Sequence, residues 1–387
     1  MSTAWQQHWQ QQLAERQQQH LLRTAHVFDD KPYRAFISND YLGFANHPTL
    51  QKALADGAEK YGVGSGASHL LGGHSRAHQQ LEEELAAFTG RDRALLFSTG
   101  YMANLGVLTA LLGKGDCILQ DKLNHASLID GGLSSGADFR RYLHADINSL
   151  EKHLLRAAGK KTLGLQKTLV ATDGVFSMDG DIAPLPAMSV LCKEHNALLM
   201  VDDAHGFGVL GKNGAGSCEH FSLAQNDVPI LMGTLGKALG SFGAFVAGSH
   251  DMIDMLIQFA RPYIYTTALP PAQAAVTSAA LRLLNSESWR REKLQANIQF
   301  FRQQAGQRSL PLMDSSTAIQ PLIVGGSELV LRMGEQLRTR GFLVGAVRPP
   351  TVAEGAARLR ITLSAEHSEN DIAQLLDAIA GTWQALV

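Results

Sequence analysis

The sequence predicts an α/β protein built on a seven-stranded, mostly parallel sheet, followed by a smaller C-terminal α+β domain. Three observations carry this. Seven short apolar runs, ALLF, CILQ, FRRYL, TLVAT, LLMVD, PILMG and AFVAG, fall between Ala94 and Gly248. Most are separated by stretches long enough for a helix, such as YMANLGVLTALL and SVLCKEHNA, and that alternation builds parallel sheets covered on both faces. From about Trp289 the order changes: a charged helical stretch, RREKLQANIQFFRQQ, leads to AIQPLIVG, ELVLRMGEQLRTR, FLVGAV, RLRITLS and a last helix. That last helix is expected to open at Ser368, with Asp371 three residues on as a near capping box.

The N-terminal stretch MSTAWQQHWQQQLAERQQQHLLR is glutamine-rich and polar. It lacks the apolar core of a signal peptide and reads as an amphipathic helix. The expected division is a substrate-contacting segment over 1–45, a large domain over 46–285 and a small domain over 286–387. At 387 residues, 45% hydrophobic and 18% charged, the chain has the composition of a globular protein. A formal charge of −2 speaks against nucleic-acid or anionic-membrane partners, which need clustered positive charge. No run of about 18 apolar residues is present to span a membrane. Three cysteines without C-x-x-C spacing read as reduced thiols of a cytoplasmic protein.

Ligands of such sheets sit beyond the carboxyl ends of the strands, and five candidates fall there. In ALLFSTGYMAN a strand runs through Gly100 into a helix beginning near Tyr101, where free N–H groups and the helix dipole suit a phosphate. In LLMVDDAHG, Asp202 ends a buried strand and needs a positive partner, with His205 in the following turn. NHASL places His125 after CILQ, and TDGVFS places Ser177 after TLVAT. LMGTLGKALGSFGA holds one charge, Lys237, three residues after Thr234 and among four glycines. Taken singly, each has a structural explanation. Together they fit pyridoxal 5'-phosphate, which needs a lysine for its aldehyde, an acid on its pyridine nitrogen and donors for its phosphate. A weakly polar setting favours the neutral amine, whereas a neighbouring carboxylate would keep it protonated and idle.

These motifs, with SNDYLGF, GSGAS, TDGVFSMDGD, TLGKALG and RLRITLSAEH, resemble the α-oxoamine synthases of the fold-type I pyridoxal phosphate enzymes. IYTTALPPAQ, AIQPLIVG and AVRPPTV resemble the branch that joins L-alanine to a pimeloyl thioester, on acyl carrier protein or coenzyme A, in biotin synthesis. The resemblance implies that Lys237 attaches the cofactor, Asp202 pairs with its ring nitrogen and His125 stacks on its ring. It places His205 and Ser177 near the phenolic oxygen, and Gly100, Tyr101 and Thr234 on the cofactor. Arg23, Asn39, His125, Thr351 and Arg360 are implied as substrate contacts, with Arg360 a bidentate clamp on the alanine carboxylate. A homodimer with its active site between subunits is implied as well.

Three positions depart from the family pattern: Phe207 stands where threonine is usual, Ala353 where proline is usual, and Asp173 where glutamate is common. Other readings fare worse. GVGSGA (62–67) fits a dinucleotide fingerprint but follows a helical pattern where a strand is required. His74 and His78 have the i, i+4 spacing of zinc ligands without the glutamate or third ligand, and read as a surface helix start. No G-x-S-x-G elbow is present. The alternatives kept are a glycine-using 2-amino-3-oxobutyrate ligase relative and a catalytically silent subunit of a mixed complex, which would be expected to lack Lys237.

Overall fold

A computed structural model of the chain describes residues 3–28, 33–159 and 166–386. The strands in chain order are β1 Arg34–Phe36, β2 Arg93–Phe97, β3 Cys117–Asp121, β4 Asp138–Tyr142, β5 Thr168–Asp173, β6 Leu198–Asp202, β7 Ile230–Thr234, β8 Ala244–Gly248, β9 Ile319–Gly325, β10 Phe342–Val347 and β11 Ala357–Thr362. All seven apolar runs are therefore strands, β2 to β8. They form one sheet in the order β2-β8-β7-β6-β5-β3-β4. Its pairings are parallel from β7 to β4, and β8 is antiparallel to both neighbours.

The apolar runs form strands because alternate side chains feed two separate cores. Leu169, Ala171, Met200, Ile230 and Met232 point to one face, with Val107 and Leu108 of the Gly100–Leu111 helix. Val170, Leu199, Val201 and Leu231 point to the other, with Leu150 and Leu154 of Ile147–Ala158 and Met188 of Leu185–Glu194. Both faces are buried, so these strands read as continuous apolar runs.

The chain divides into two compact units. The larger comprises Asp40–Ser177 and Ile182–Arg291; the other comprises residues up to Asn39, Met178–Asp181 and those from Glu292 onward. The expected boundaries at 45 and 286 differ from these, and the N-terminal segment belongs with the C-terminal residues. The reason is β-pairing: β1 lies parallel to β10 in a four-stranded sheet of order β1-β10-β11-β9. The helix over Thr3–Gln18 forms as expected but buries none of its residues; Trp5, Trp9 and Leu13 are all exposed. Ser368 and Asp371 exchange capping hydrogen bonds at the start of Glu369–Leu386.

The insertion 178–181 is held within the smaller unit by buried polar contacts. Asp179 pairs with Arg358 of β11, and both are buried. The hydroxyls of Ser315 and Thr317 each donate to the Gly180 carbonyl at 2.9 Å.

The HSRAH motif corrects one expectation. His78 is fully buried, not a surface residue. It completes a capping box with Ser75, accepting the Ser75 N–H on Nδ1 (3.0 Å) and donating from Nε2 to the Leu269 carbonyl (2.7 Å). His69 packs beside it, stacked on Tyr263 with ring centroids 4.8 Å apart. Among the described residues no group of histidines, cysteines and carboxylates can hold a metal ion. Burial, with His78 and His74 nearby, pushes His69 down to about 3. Burial pushes Glu82, which accepts the Leu96 N–H at 3.0 Å, up to about 8.

Two outcomes are expected. Asp179→Ala leaves the Arg358 guanidinium buried without its carboxylate and destabilises the smaller unit by about 3–5 kcal/mol in denaturant titration. Glu82 binds a proton in the folded chain over a range where the unfolded chain has released it, so its contribution to stability falls as pH rises from 4.5 to about 8. Glu82→Gln removes that slope and is more stable than the parent at neutral pH by up to about 3 kcal/mol, read as a Tm difference that vanishes near pH 4.5.

Candidate active site

A cavity of about 200 Å³ opens at the carboxyl ends of the parallel strands. Its lining contains all eight residues the sequence assigns to the cofactor: Gly100, Tyr101, His125, Ser177, Asp202, His205, Thr234 and Lys237. Sheet register brings them together, since β5, β6 and β7 end side by side at Asp173, Asp202 and Thr234. Every one of these residues lies in the larger unit.

Asp202 is 4% exposed. Its Oδ1 accepts the Ala204 N–H at 3.0 Å and its Oδ2 accepts Asn104 Nδ2 at 2.7 Å. Asp173 is its register partner on β5. Burial, then the neighbouring Asp202 charge, hold the Asp173 carboxyl well above the ordinary carboxylate range. Two adjacent buried carboxyls do not both ionise readily, and Asp173 is the one that keeps its proton. Asp173 Oδ2 also accepts the His125 N–H at 2.9 Å, and Asn124 accepts the Asp173 N–H at 3.1 Å.

His125 is the N-cap of the Ala126–Ser134 helix; its Nδ1 accepts the Ser127 N–H. Burial lowers its pKa, Asp202 opposes the shift and Lys237 adds to it. The ring is therefore neutral at physiological pH.

Lys237 lies in the turn after β7, closed by Gly240 N–H to the Lys237 carbonyl and Ser241 N–H to the Leu235 carbonyl, both 2.9 Å. Gly240 has φ +60°, and a Cβ there would come within 2.3 Å of the Ala45 nitrogen; only glycine fits. Lys237 Nζ lies 2.9 Å from His205 Nε2, and His205 Nδ1 lies 2.5 Å from the Tyr41 hydroxyl. With the amine protonated, Nζ donates to Nε2 and the neutral ring donates from Nδ1 to Tyr41.

Gly100 begins its helix under Thr234. A Cβ on Gly100 would sit 2.9 Å from Thr234 Cγ2, so glycine lets the strand end approach the helix N-terminus. Thr99 caps that terminus by accepting the Met102 N–H. Tyr101 is 44% exposed, and its hydroxyl donates to Asp130. Phe207 does not line the cavity: it is buried behind β7 and packs edge-on against Phe245 at 4.9 Å. Gly233 is small because the rings of Phe245 and Phe207 occupy the space of a Cβ. The departure at Phe207 is thus absorbed by the core. Nothing in the structure explains Ala353.

Of the five residues assigned to substrate, His125 lies in the larger unit and the other four form two pairs in the smaller one. Arg23 Nη2 donates to Thr351 Oγ1 at 3.1 Å, and Arg360 Nη2 donates to Asn39 Oδ1 at 3.1 Å. Thr362 Oγ1 accepts from Arg360 Nη1 at 2.9 Å, which fixes the buried guanidinium in its plane. Sequence reasoning missed Asn104, Ser127 and Tyr41, although all three lie in quoted motifs. Asn104 had a signal: it is the one amide in the otherwise apolar helical run YMANLGVLTALL.

Comparison with known proteins follows this geometry. The family model for aminotransferase class I and II matches residues 35–379. The 8-amino-7-oxononanoate synthase of Cellvibrio japonicus is 61% identical over 353 residues, covering 91% of this chain and 87% of that protein. That of Pseudomonas fluorescens is 59% identical over 93% of this chain and 90% of its own length. Among solved structures, serine palmitoyltransferase from S. paucimobilis, with a PLP–myriocin adduct bound, superposes with a TM-score of 0.87 at 31% identity, covering 92% of this chain and 88% of that one. The 8-amino-7-oxononanoate synthase of Francisella tularensis gives 0.79 at 34% identity, covering 91% and 98%. The chain belongs to the class I and II aminotransferase family and, within it, to the 8-amino-7-oxononanoate synthases.

Proposed function

We propose that the chain is a pyridoxal 5'-phosphate-dependent C-acyltransferase that condenses L-alanine with a pimeloyl thioester, releasing carbon dioxide and free thiol, in biotin synthesis. The observation that carries this is the cavity itself: a buried, acceptor-only carboxylate, an amine and a helix N-terminus meet in a chain about 60% identical to named synthases. The residues fit the cofactor. Asp202 has neutral donors on both oxygens, Asn104 Nδ2 and the Ala204 N–H, and a carboxylate held this way suits a protonated ring nitrogen. The Gly100–Tyr101 terminus and Thr234 suit its phosphate.

When bound, pyridoxal phosphate supplies an aldehyde for the lysine amine and an electron-withdrawing ring that stabilises charge on the amino acid's α-carbon. The chain supplies the rest. Asp202 keeps the proton on the ring nitrogen. Lys237 holds the cofactor, then takes the α-proton of alanine and returns a proton after carbon dioxide leaves. His125 would cover the ring face and His205 and Ser177 would hydrogen-bond the phenolic oxygen, while Arg360 and Asn39 would take a substrate carboxylate. Arg23 and Thr351 contact the acyl substrate.

A homodimer is part of this reading. It is supported by the exposure of the large apolar side chains of Val63, Leu70, Leu71, Phe242 and Tyr265, which association would take out of water. Among the described residues no helix is long and apolar enough to cross a membrane, and Cys117, Cys192 and Cys218 are buried. Three cysteines without paired spacing fit the reducing cytoplasm.

Borohydride reduction of the loaded protein followed by peptide mapping should label Lys237; a label elsewhere, or none, refutes the assignment. Lys237→Ala should lower turnover by about 10²–10⁴-fold or more without unfolding the chain. Asp202→Asn should release the cofactor more readily and slow α-proton removal by about two orders of magnitude, measured by deuterium exchange into alanine. Alanine and glycine, each offered with pimeloyl and acetyl thioesters, distinguish this reaction from that of a glycine-using relative: preference for glycine with the acetyl donor replaces the substrate assignment.

A further inference from the structure

Donor counting around His125 reaches beyond the residues already assigned. Asp202, ionised, can only accept, so the Asn104 group at 2.7 Å from Oδ2 is the amide NH₂. The same Nδ2 donates its second hydrogen to Ser127 Oγ at 2.8 Å. Ser127 Oγ receives a hydrogen from Asn104 and lies 2.7 Å from His125 Nδ1; because that nitrogen already faces a backbone N–H, the hydroxyl gives its own hydrogen there. That nitrogen also accepts the Ser127 N–H at 3.3 Å. Two donors converge on Nδ1, which leaves it no proton of its own. The imidazole proton is on Nε2.

We propose that Asn104 and Ser127 are positioning residues: they run a one-way hydrogen-bond line from the Asp202 carboxylate to His125 and hold its ring as the neutral Nε2–H tautomer. Placing a proton on Nδ1 would turn it against the Ser127 N–H and strip the Ser127 hydroxyl hydrogen of its acceptor. Asn104 serves this line at the expense of its own carbonyl oxygen, which is buried and without a partner. Asn104 and Ser127 are fully buried, at 0% and 1% exposure, so water does not compete for these bonds. The charged and titratable groups around His125 are Asp202, Lys237 and Asp130, with Asp173 on its backbone N–H. Asp202 and Asp130 favour protonation of the ring, and the donor line opposes them. The consequence for catalysis rests on the cofactor reading above: a ring that covers the cofactor stays neutral beside Asp202, and its one donor is Nε2–H.

The test is ¹⁵N NMR of histidine-labelled protein, both cofactor-free and loaded with pyridoxal phosphate, with His125 assigned by loss of its signals in His125→Asn. The expected result is an acceptor-type Nδ1 and a protonated Nε2, unchanged between about pH 6 and 8, where a free histidine titrates. In Ser127→Ala the hydroxyl donor is gone. The apparent pKa of His125 should then rise by about one unit, and kcat/KM should gain an acidic limb at the same pH. Ser127→Thr keeps the hydroxyl and should restore the parent profile. A proton on Nδ1 in the parent protein overturns the proposal whatever the variants do, and so does a Ser127→Ala profile identical to the parent's. Failure of borohydride to label Lys237, with the tautomer as stated, overturns the cofactor reading and leaves this inference standing.

Discussion

The buried carboxylate of Asp202 is the constraint on which the rest of the site depends. An ionised group at the end of β6 has lost its water, and the loss is large unless hydrogen bonds replace it. The replacements come from two sources. The Ala204 N–H is aimed at it by the turn that follows β6, and Asn104 reaches it from the helix that starts at Gly100. Charge-assisted bonds of this kind are each worth about 1.5–3 kcal/mol, enough to hold the charge in place without cancelling its need for a cation. Asp173, its neighbour in register, gives way by keeping its proton and serves as a backbone anchor for His125.

This arrangement explains why chemistry collects at one edge of the sheet. Parallel strands end together, and each contributes a polar residue at the point where its apolar run stops. Asp173, Asp202 and Thr234 are consecutive across β5, β6 and β7, and the loop after β3 adds Asn124 and His125. The side chains before these ends alternate between two cores and are closely packed, so the ends have little freedom to shift. Lys237 extends the series by one tight turn beyond β7.

Much of this was legible in the sequence. The seven strands announced themselves as apolar runs because both faces of the sheet are buried, and the cofactor residues stood out because each interrupts such a run with a group that needs a partner. Three things were not legible. The burial of His78 depends on the Leu269 carbonyl being there to accept its hydrogen bond, a contact nearly two hundred residues away that no local pattern encodes. Phe207 looked like a change in the site, yet its ring turns into the core, where Phe245 and the missing side chain of Gly233 make room. The pairing of β1 with β10 was invisible because a three-residue strand carries almost no periodicity.

That last pairing has a bearing on biosynthesis. Residues 34–36 emerge from the ribosome long before their partner, 342–347, is made. The larger unit has all its strands by Gly248 and can begin to fold while the first strand still waits with its edge unsatisfied. Contacts of such long sequence separation form slowly, and an open strand edge is prone to wrong partners. The smaller unit therefore matures after the larger one has begun to fold, and until 342–347 is made its first strand has no place to dock.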